Sequence, residues 1–294
     1  MSTAGALINR VSRQLLSGTI EERNKLASTV TSADTSIVMS YDLAALRTGS
    51  VFEIDSELMY IWVAESGSKT LTVERGYLGT TAAEHTAGAL VILNPRFPQQ
   101  QLLDSFNQEL DDLSSPSNGL FRVVNADLSY NGSDRQLDIA SASTVIDLID
   151  VRLKYLASDY PVLRGVRLSR DLPTADFASG FAITFDELSM AGTLRVRYKA
   201  PFVRASTTAS DIQSVCLLPV TMEDIIEMGV MARMLSVREI KRNFIESQGD
   251  TRRSDEVPAG SISNSVTNIL RLRRDRIIAE ASKLARQYPL TIRV

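Results

Sequence analysis

Residues 71–98 read LTVERGYLGTTAAEHTAGALVILNPRFP, and this segment predicts two short strands joined by a long turn. Apolar residues alternate with polar ones as far as Glu74, glycines and threonines follow, and an apolar run comes near the end. The only histidine of the chain, His85, lies in the turn among charged residues. A histidine in this setting serves either as a general base or as a polar residue of a structural loop, and the remaining sequence has to distinguish the two roles.

Three more β-prone runs precede this segment, and turn-forming residues separate them. They lie at 36–42, 50–55 and 58–66. Together the runs make five short antiparallel strands over about 60 residues, and a small sheet of this kind protects its edges by closing on itself. The sequence therefore predicts a small β-barrel-like domain over residues 35–97. An N-terminal helical segment, residues 1–34, precedes this domain, with apolar residues at helical spacing that predict a helix over 4–28.

A helix and a second group of strands follow the barrel-like domain. Pro98 opens a linking helix, residues 98–118, which carries an apolar stripe. Residues 119–204 contain several strand-like runs and the hairpin signal Asn131-Gly132. This pattern favours an antiparallel β-sandwich domain.

The C-terminal region, residues 205–294, is predicted to be helical. Two long helices, at 222–246 and 263–287, flank a polar loop at 248–262, and the first half of the earlier helix is apolar almost all round, which predicts its burial. The complete order is an N-terminal helix, a small five-stranded β-barrel-like unit, a linking helix, an antiparallel β-sandwich and two long C-terminal helices. This order predicts an α+β fold and differs from the strand–helix alternation of a doubly wound enzyme.

The composition excludes several kinds of site. A single cysteine, Cys216, has no partner for a disulfide within the chain, and a single histidine excludes the histidine clusters of most zinc and iron sites. The sequence also lacks a P-loop, a dinucleotide-binding glycine pattern and the zinc-protease and serine-hydrolase motifs. We therefore expect no catalytic residues, no cofactor and no metal. The lack of a signal segment or a long apolar run predicts a cytosolic product without a membrane partner.

Charge is distributed unevenly along the chain. From Arg233 to the C-terminus there are 13 Arg and Lys residues against 7 Asp and Glu, a net +6, which leaves −9 for the rest of a chain whose net charge is −3. Four arginines of the last helix form a basic cluster, which is either a solvated helix face or a docking surface for an acidic partner or nucleic acid. They are Arg271, Arg273, Arg274 and Arg276. We predict a docking surface at these four positions, although Arg273 shares the apolar stripe of the helix while Arg271 and Arg274 face away.

Three phrases of the chain resemble virion proteins of tailed phages of actinobacteria, in particular neck proteins of the head-to-tail adaptor (connector) type. The phrases are LINRVSRQLLSGTIEERNKLAS, LTVERGYLGTTAAEHTAGALVILNPRFP and LDDLSSPSNGLFRVVNADLSYNGSDRQLDI. The pattern ERGxxGTTAAxHxxG within the second phrase is similar to a β-hairpin with its turn that recurs more widely in phage neck and tail proteins. The resemblance spans roughly the first half of the chain.

This resemblance implies a structural virion protein. Adaptors of this kind form rings, typically of twelve copies, that bridge the portal protein to the next neck or tail protein. DNA passes through such a ring without sequence-specific binding. The implied location is the virion neck, after assembly in the host cytoplasm.

Two other functions stay open at the level of the sequence. A tail or baseplate component would use the sandwich region to contact another tail protein or a host glycan. A cell-envelope hydrolase would need His85 together with a carboxylate in a cleft. Under the leading hypothesis, His85 is a polar residue on a protruding loop that touches a neighbouring subunit.

Overall fold

The computed structural model describes residues 2–16, 21–139, 144–154, 161–186, 191–247 and 261–288, and at 237–247 and 261–262 it describes the backbone. Helices and antiparallel strands occur together in the predicted order, which confirms the α+β class. The polar loop predicted at 248–262 lies outside the described residues, except for its last two positions. The chain divides into two compact units. Unit 1 comprises Met1–Gln108, Ala205–Ile212 and Ile226–Leu270, and unit 2 comprises Glu109–Arg204, Gln213–Ile225 and Arg271–Val294.

The N-terminal helix, α1, spans Ala4–Leu16. The side-chain oxygen of Thr3 accepts a hydrogen bond from the Ala6 N–H at 3.1 Å and caps the first turn. The predicted helix over 4–28 is therefore too long, because Arg23–Lys25 forms a strand, β1. Antiparallel pairing with residues 90–92 supplies this strand with backbone partners, and such tertiary pairing overrides a weak local helix preference.

Six antiparallel strands form the sheet of unit 1, in the order β1-β6-β3-β4-β5-β2. The strands after β1 are β2 Ser36–Val38, β3 Val51–Ile54, β4 Glu57–Glu65, β5 Thr70–Glu74 and β6 Leu90–Leu93. All five predicted strands are present, and β1 adds a sixth. An isolated antiparallel bridge between Leu26 and Met39 joins the ends of the two edge strands, so the sheet curls until its edges meet. Its interior is filled by apolar side chains, among them Phe52, Ile61 and Leu71.

The linking helix, α2, spans Gln99–Leu113, and its apolar stripe is buried as predicted. Two three-stranded antiparallel sheets follow in unit 2, with the orders β7-β12-β9 and β10-β11-β8. Their strands are β7 Arg122–Tyr130, β8 Gln136–Asp138, β9 Asp147–Leu153, β10 Val166–Ser169, β11 Ala182–Phe185 and β12 Gly192–Ala200. Side chains from both sheets, such as Val196 and Ile183, belong to one hydrophobic core, which is the arrangement of a sandwich.

Two long helices complete the described chain: α3 spans Glu223–Ser247 and α4 spans Ser261–Gln287. The first half of α3 is buried at Ile225, Ile226 and Val230, as its apolar sequence predicts. Within the described ranges, no helix combines the length and the apolar character that crossing a membrane requires.

Candidate functional site

The turn between β5 and β6 carries His85, and the prediction that this residue lies on a protruding loop is wrong. The His85 side chain is 2% exposed. Its backbone forms an antiparallel bridge with Val30, with N–H to oxygen distances of 3.0 Å and 2.9 Å in the two directions. This pairing draws the second half of the turn onto the sheet and places the imidazole ring inside unit 1, where it offers little surface to another subunit.

A buried carboxylate, Glu57, organises the turn around itself. Glu57 begins β4 and is 2% exposed. It accepts two hydrogen bonds from the Arg75 guanidinium, at 2.8 Å and 2.9 Å, and one from each of the Gly76 and Ala83 backbone N–H groups, both at 3.0 Å. His85 Nε2 lies 2.9 Å from the same carboxylate. Both ends of the turn are thereby fixed to the start of β4.

Arg75 extends this network to a third segment. Its Nη1 donates to the carbonyl oxygens of Thr31, at 2.6 Å, and Asp34, at 2.9 Å, and its Nη2 donates to the Ala83 carbonyl oxygen at 2.6 Å. The guanidinium therefore bonds one carboxylate and three carbonyl groups while its side chain is only 7% exposed. We call Glu57, Arg75 and His85 the turn network.

The electrostatics of the turn network favour charged side chains. Burial raises the pKa of Glu57, but hydrogen bonds from Arg75, His85, Ala83 and Gly76 outweigh it and lower the pKa to about 2. The hydrogen bond to Glu57 raises the pKa of His85 against the opposing effect of burial, and Asp55, whose Oδ2 lies 2.9 Å from Nδ1, raises it further. A carboxylate at each ring nitrogen favours the imidazolium form of His85, in which both nitrogens donate. This arrangement stabilises a turn and leaves neither nitrogen free to accept a proton from a substrate.

The segment between the two fixed ends of the turn contains an exposed leucine. Tyr77–Gly79 forms a short 3-10 turn, and Leu78 at its centre has φ 54° and ψ 31°, in the left-handed region. A bulky side chain in this region is rare, because it costs about 1–2 kcal/mol. The Leu78 side chain is nevertheless 76% exposed. The turn thus holds a leucine in an unfavourable conformation and displays it to solvent.

Aromatic residues lie next to this leucine in sequence and in space. The rings of Tyr60 and Trp62, on β4, have centroids 4.8 Å apart, and the Tyr77 ring lies 5.3 Å from that of Tyr60. Trp62 is 55% exposed. We call Tyr60, Trp62, Tyr77 and Leu78 the tip surface. Aromatic side chains and exposed large apolar side chains are typical of protein interfaces, so this surface is the first candidate for contact with a partner.

The four predicted docking arginines do not form one surface. Arg273 forms an ion pair with Glu109, with Nη2 and Oε2 2.7 Å apart, and it donates a hydrogen bond to Asp112 at 2.5 Å, while its side chain is 11% exposed. Arg276 donates to Asp224 at 2.6 Å and to the Thr221 carbonyl oxygen at 2.9 Å. All these partners belong to unit 2.

The remaining two arginines of the cluster differ from this pair. Arg271 and Arg274 are exposed, and neither forms an ion pair with a side chain that the structure describes. Docking by all four arginines stays a prediction, but the geometry supports it only for Arg271 and Arg274.

The outer face of the sheet β7-β12-β9 carries a group of paired charges. Arginine and lysine alternate with buried residues along β12, and each cation faces an aspartate on a neighbouring strand. The pairs are Arg195–Asp127, Arg197–Asp150 and Lys199–Asp147. Because these charges neutralise one another, this face is polar without being strongly basic or acidic.

In the described ranges, no group of three or more His, Cys, Asp or Glu residues has the geometry to hold a metal ion. Cys216 is buried and forms no disulfide, as expected for the single cysteine of the chain.

A second buried carboxyl group binds the first residue of helix α2. Glu53, on β3, is 1% exposed and accepts a hydrogen bond from the Gln99 N–H at 2.6 Å. Burial raises the pKa of Glu53 to about 8, although the Gln99 N–H opposes the change. Glu53 is therefore mainly uncharged in the folded chain near neutral pH.

Glu53 is expected to make unit 1 less stable as the pH rises. Above its ordinary pKa of 4.5 the unfolded chain loses the Glu53 proton while the folded chain keeps it until about pH 8, so the stabilisation present below pH 4.5 disappears across this window. The Glu53→Gln variant keeps the acceptor oxygen and removes the titration. The free energy of unfolding is measured in urea at pH 5 and pH 8.5 by the fluorescence of the single tryptophan, Trp62. Between these pH values the Glu53→Gln variant should lose a few kcal/mol less of this free energy than the wild type. An equal loss in both proteins contradicts the prediction.

Comparison with known proteins adds no relative: no protein-family model matches the chain, and no curated protein matches it.

Proposed function

We propose that the protein is a structural virion component, a head-to-tail adaptor that forms a ring between the portal protein and the next neck or tail protein. The observation that carries the proposal is the 74–88 turn, the phrase on which the resemblance to phage neck proteins chiefly rests. Its charged residues Arg75 and His85 bind inward to Glu57, while Leu78 is displayed at the tip. A turn built in this way serves contact between proteins better than it serves catalysis.

Surface charge gives a second line of support. The last fifth of the chain carries net +6 and the remainder carries −9. The basic region of one copy therefore attracts the acidic region of a neighbouring copy, within one ring or between adjacent rings. An acidic body also repels the DNA phosphates that pass through the ring, which lets the genome move without sequence-specific binding. The proposed assembly is a ring of about twelve copies in the virion neck, formed in the host cytoplasm without membrane or cofactor.

Imaging of purified virions tests this proposal directly. Cryo-electron microscopy is expected to place the chain as a closed ring next to the portal, and native mass spectrometry of the recombinant protein is expected to give the same number of copies. A position at the distal end of the tail would instead identify a tail or baseplate component. A monomer that purified virions do not contain would overturn both assignments.

Catalysis is tested separately. Wild-type protein and the His85→Ala variant should be equally inactive on cell-wall material, because both ring nitrogens of His85 face carboxylates. Hydrolysis by the wild type that His85→Ala abolishes would favour the envelope hydrolase.

A further inference from the structure

A groove on α4 complements the tip surface. Within unit 2, Ile277, Ile278 and Ala281 line an open groove of about 440 Å³ whose edge includes Arg274 and Asn118. Ile278 is exposed although it is a large apolar residue. The groove has room for a leucine side chain and atoms of its neighbours.

The charges next to the two surfaces are opposite. Glu74, beside the tip surface, is the register partner of Tyr60 and shares its face of the sheet. Glu84, in the same turn, is also exposed. At the groove, Arg274 and Arg271 are exposed and lie three residues apart, on adjacent turns of α4. The tip is thus apolar with two exposed glutamates in its turn, and the α4 groove is apolar with two exposed arginines and one exposed aspartate, Asp275, nearby.

We propose that the tip surface of one copy docks into the α4 groove of a second copy, with Leu78 against Ile278 and with Glu74 and Glu84 near Arg274 and Arg271. The occupant is a second copy because the same chain carries both complementary surfaces. The strained Leu78 supports this role, since strained residues cluster at contact and ligand sites, and here the strained residue displays an apolar side chain to solvent. The two surfaces differ, so the contact is heterologous and propagates from copy to copy, as a ring requires. The expectation that the contact closes into a ring rests on the proposed adaptor function.

Paired cysteines test the contact. Full-length Leu78→Cys protein mixed with Ile278→Cys protein under mild oxidation is expected to give a disulfide-linked dimer as the main product on a non-reducing gel. The Leu78→Cys/Ile278→Cys double variant is expected to give a ladder of dimers, trimers and higher species, and each single variant alone at most a weak dimer. The native Cys216 is buried, so the wild-type protein provides the background. A double variant that crosslinks only within one chain, or not at all, overturns the inference.

Charge reversal provides an independent readout. Glu84→Arg and Arg274→Glu should each weaken self-association at least about tenfold in sedimentation velocity, and the two changes together should restore much of it. Arg286→Glu, the same change at another exposed position on α4, is the matched control and should leave self-association unchanged. Failure of the double variant to recover, with both single variants folded, contradicts the pairing.

Leu78→Gly separates a structural role from a contact role. Glycine adopts a positive φ without strain, so the thermal midpoint of unit 1 should rise by a few degrees while self-association falls at least about tenfold. A lower midpoint with unchanged association means that Leu78 serves the fold, and the inference is then wrong.

If the wild type assembles and these variants assemble equally well, the inference fails while the adaptor proposal stands. If the wild type stays monomeric at high concentration, the inference also fails, and virion imaging decides the adaptor proposal separately.

Discussion

Replacing Glu57 with alanine is expected to lower the free energy of unfolding of unit 1 by about 3–5 kcal/mol, because it removes one partner of a buried ion pair. Arg75 would keep its carbonyl partners but lose the one carboxylate that it bonds among the described residues, and the Gly76 and Ala83 N–H groups would lose their acceptor. Urea unfolding followed by Trp62 fluorescence measures the loss, because the single tryptophan lies in unit 1.

Two variants show whether burial causes this effect. Glu84→Ala removes an exposed carboxylate from the same turn and should change the free energy of unfolding by no more than about 0.5 kcal/mol. Glu57→Gln keeps the shape of the side chain but removes the charge, and its loss should be intermediate. If Glu57→Ala is no less stable than Glu84→Ala, the turn network does not hold the turn.

The pH dependence of the turn network has two sides. The folded pKa of Glu57 is about 2, so its contribution is present above the ordinary value of 4.5 and disappears as the pH falls from there towards 2. The pKa of His85 is raised, so its contribution is complete below the ordinary value of 6.5 and disappears as the pH rises through the folded value. In Glu57→Gln, unit 1 should therefore lose less stability than the wild type between pH 4.5 and pH 2.

Arg273→Ala is expected to destabilise unit 2 by about 3–5 kcal/mol, because it removes the guanidinium that lies 2.7 Å from the buried Glu109 carboxylate and so breaks a buried ion pair. Far-UV circular dichroism during urea unfolding should show this loss, while Trp62 fluorescence identifies the transition of unit 1. A residue that serves docking alone would leave the folded chain equally stable and reduce assembly instead.

Arg274→Ala is the matched control for Arg273→Ala. Arg274 is the next residue of α4, but it is exposed, so its removal should change the free energy of unfolding by no more than about 0.5 kcal/mol. The Glu109→Gln/Arg273→Met double variant should lose less stability than the sum of its single changes, since neither member of the pair then carries a charge. Additive losses would mean that the two residues do not act as a pair.

Local pattern is sufficient for most strands and helices of this chain but not for β1. The strands from β2 to β6 are short β-prone runs that end at turn-forming residues, with apolar and polar residues alternating in β5 and a continuous apolar run in β6. In contrast, β1 is the three-residue run Arg23–Lys25, which has no apolar alternation and becomes a strand only through its backbone bonds to residues 90–92. Because the residues that pair with β1 lie more than 60 positions later in the chain, local pattern alone assigns this run to the neighbouring helix.

Part of the turn network was accessible from the sequence. Glu57 is in phase with Met59 and Ile61 on β4, and Arg75 continues the phase of Leu71 and Val73 beyond β5. Both charged residues therefore fall on the inward face of adjacent strands, where each needs the other. His85 was not accessible in this way, because its bridge to Val30 is isolated and has no periodic signal.

Helical phase also distinguishes the arginines of α4. Arg273 lies four residues before Ile277 and seven before Glu280, both of which are buried, whereas Arg271 and Arg274 point to the exposed side. The apolar stripe of the sequence correctly assigned Arg273 to the inward side. The sequence does not identify its carboxylate partner, because Glu109 lies more than 160 residues earlier in the chain.

The turn network separates two kinds of evolutionary constraint within one short loop. Substitutions at Glu57 or Arg75 alter the base of the turn and are opposed by selection on folding, whatever the protein binds. Substitutions at Leu78 leave the contacts of Glu57 and Arg75 in place and alter the local backbone strain and the side chain that the loop presents. If the tip surface binds a partner as proposed, the residues that set its specificity are not the residues that hold the turn.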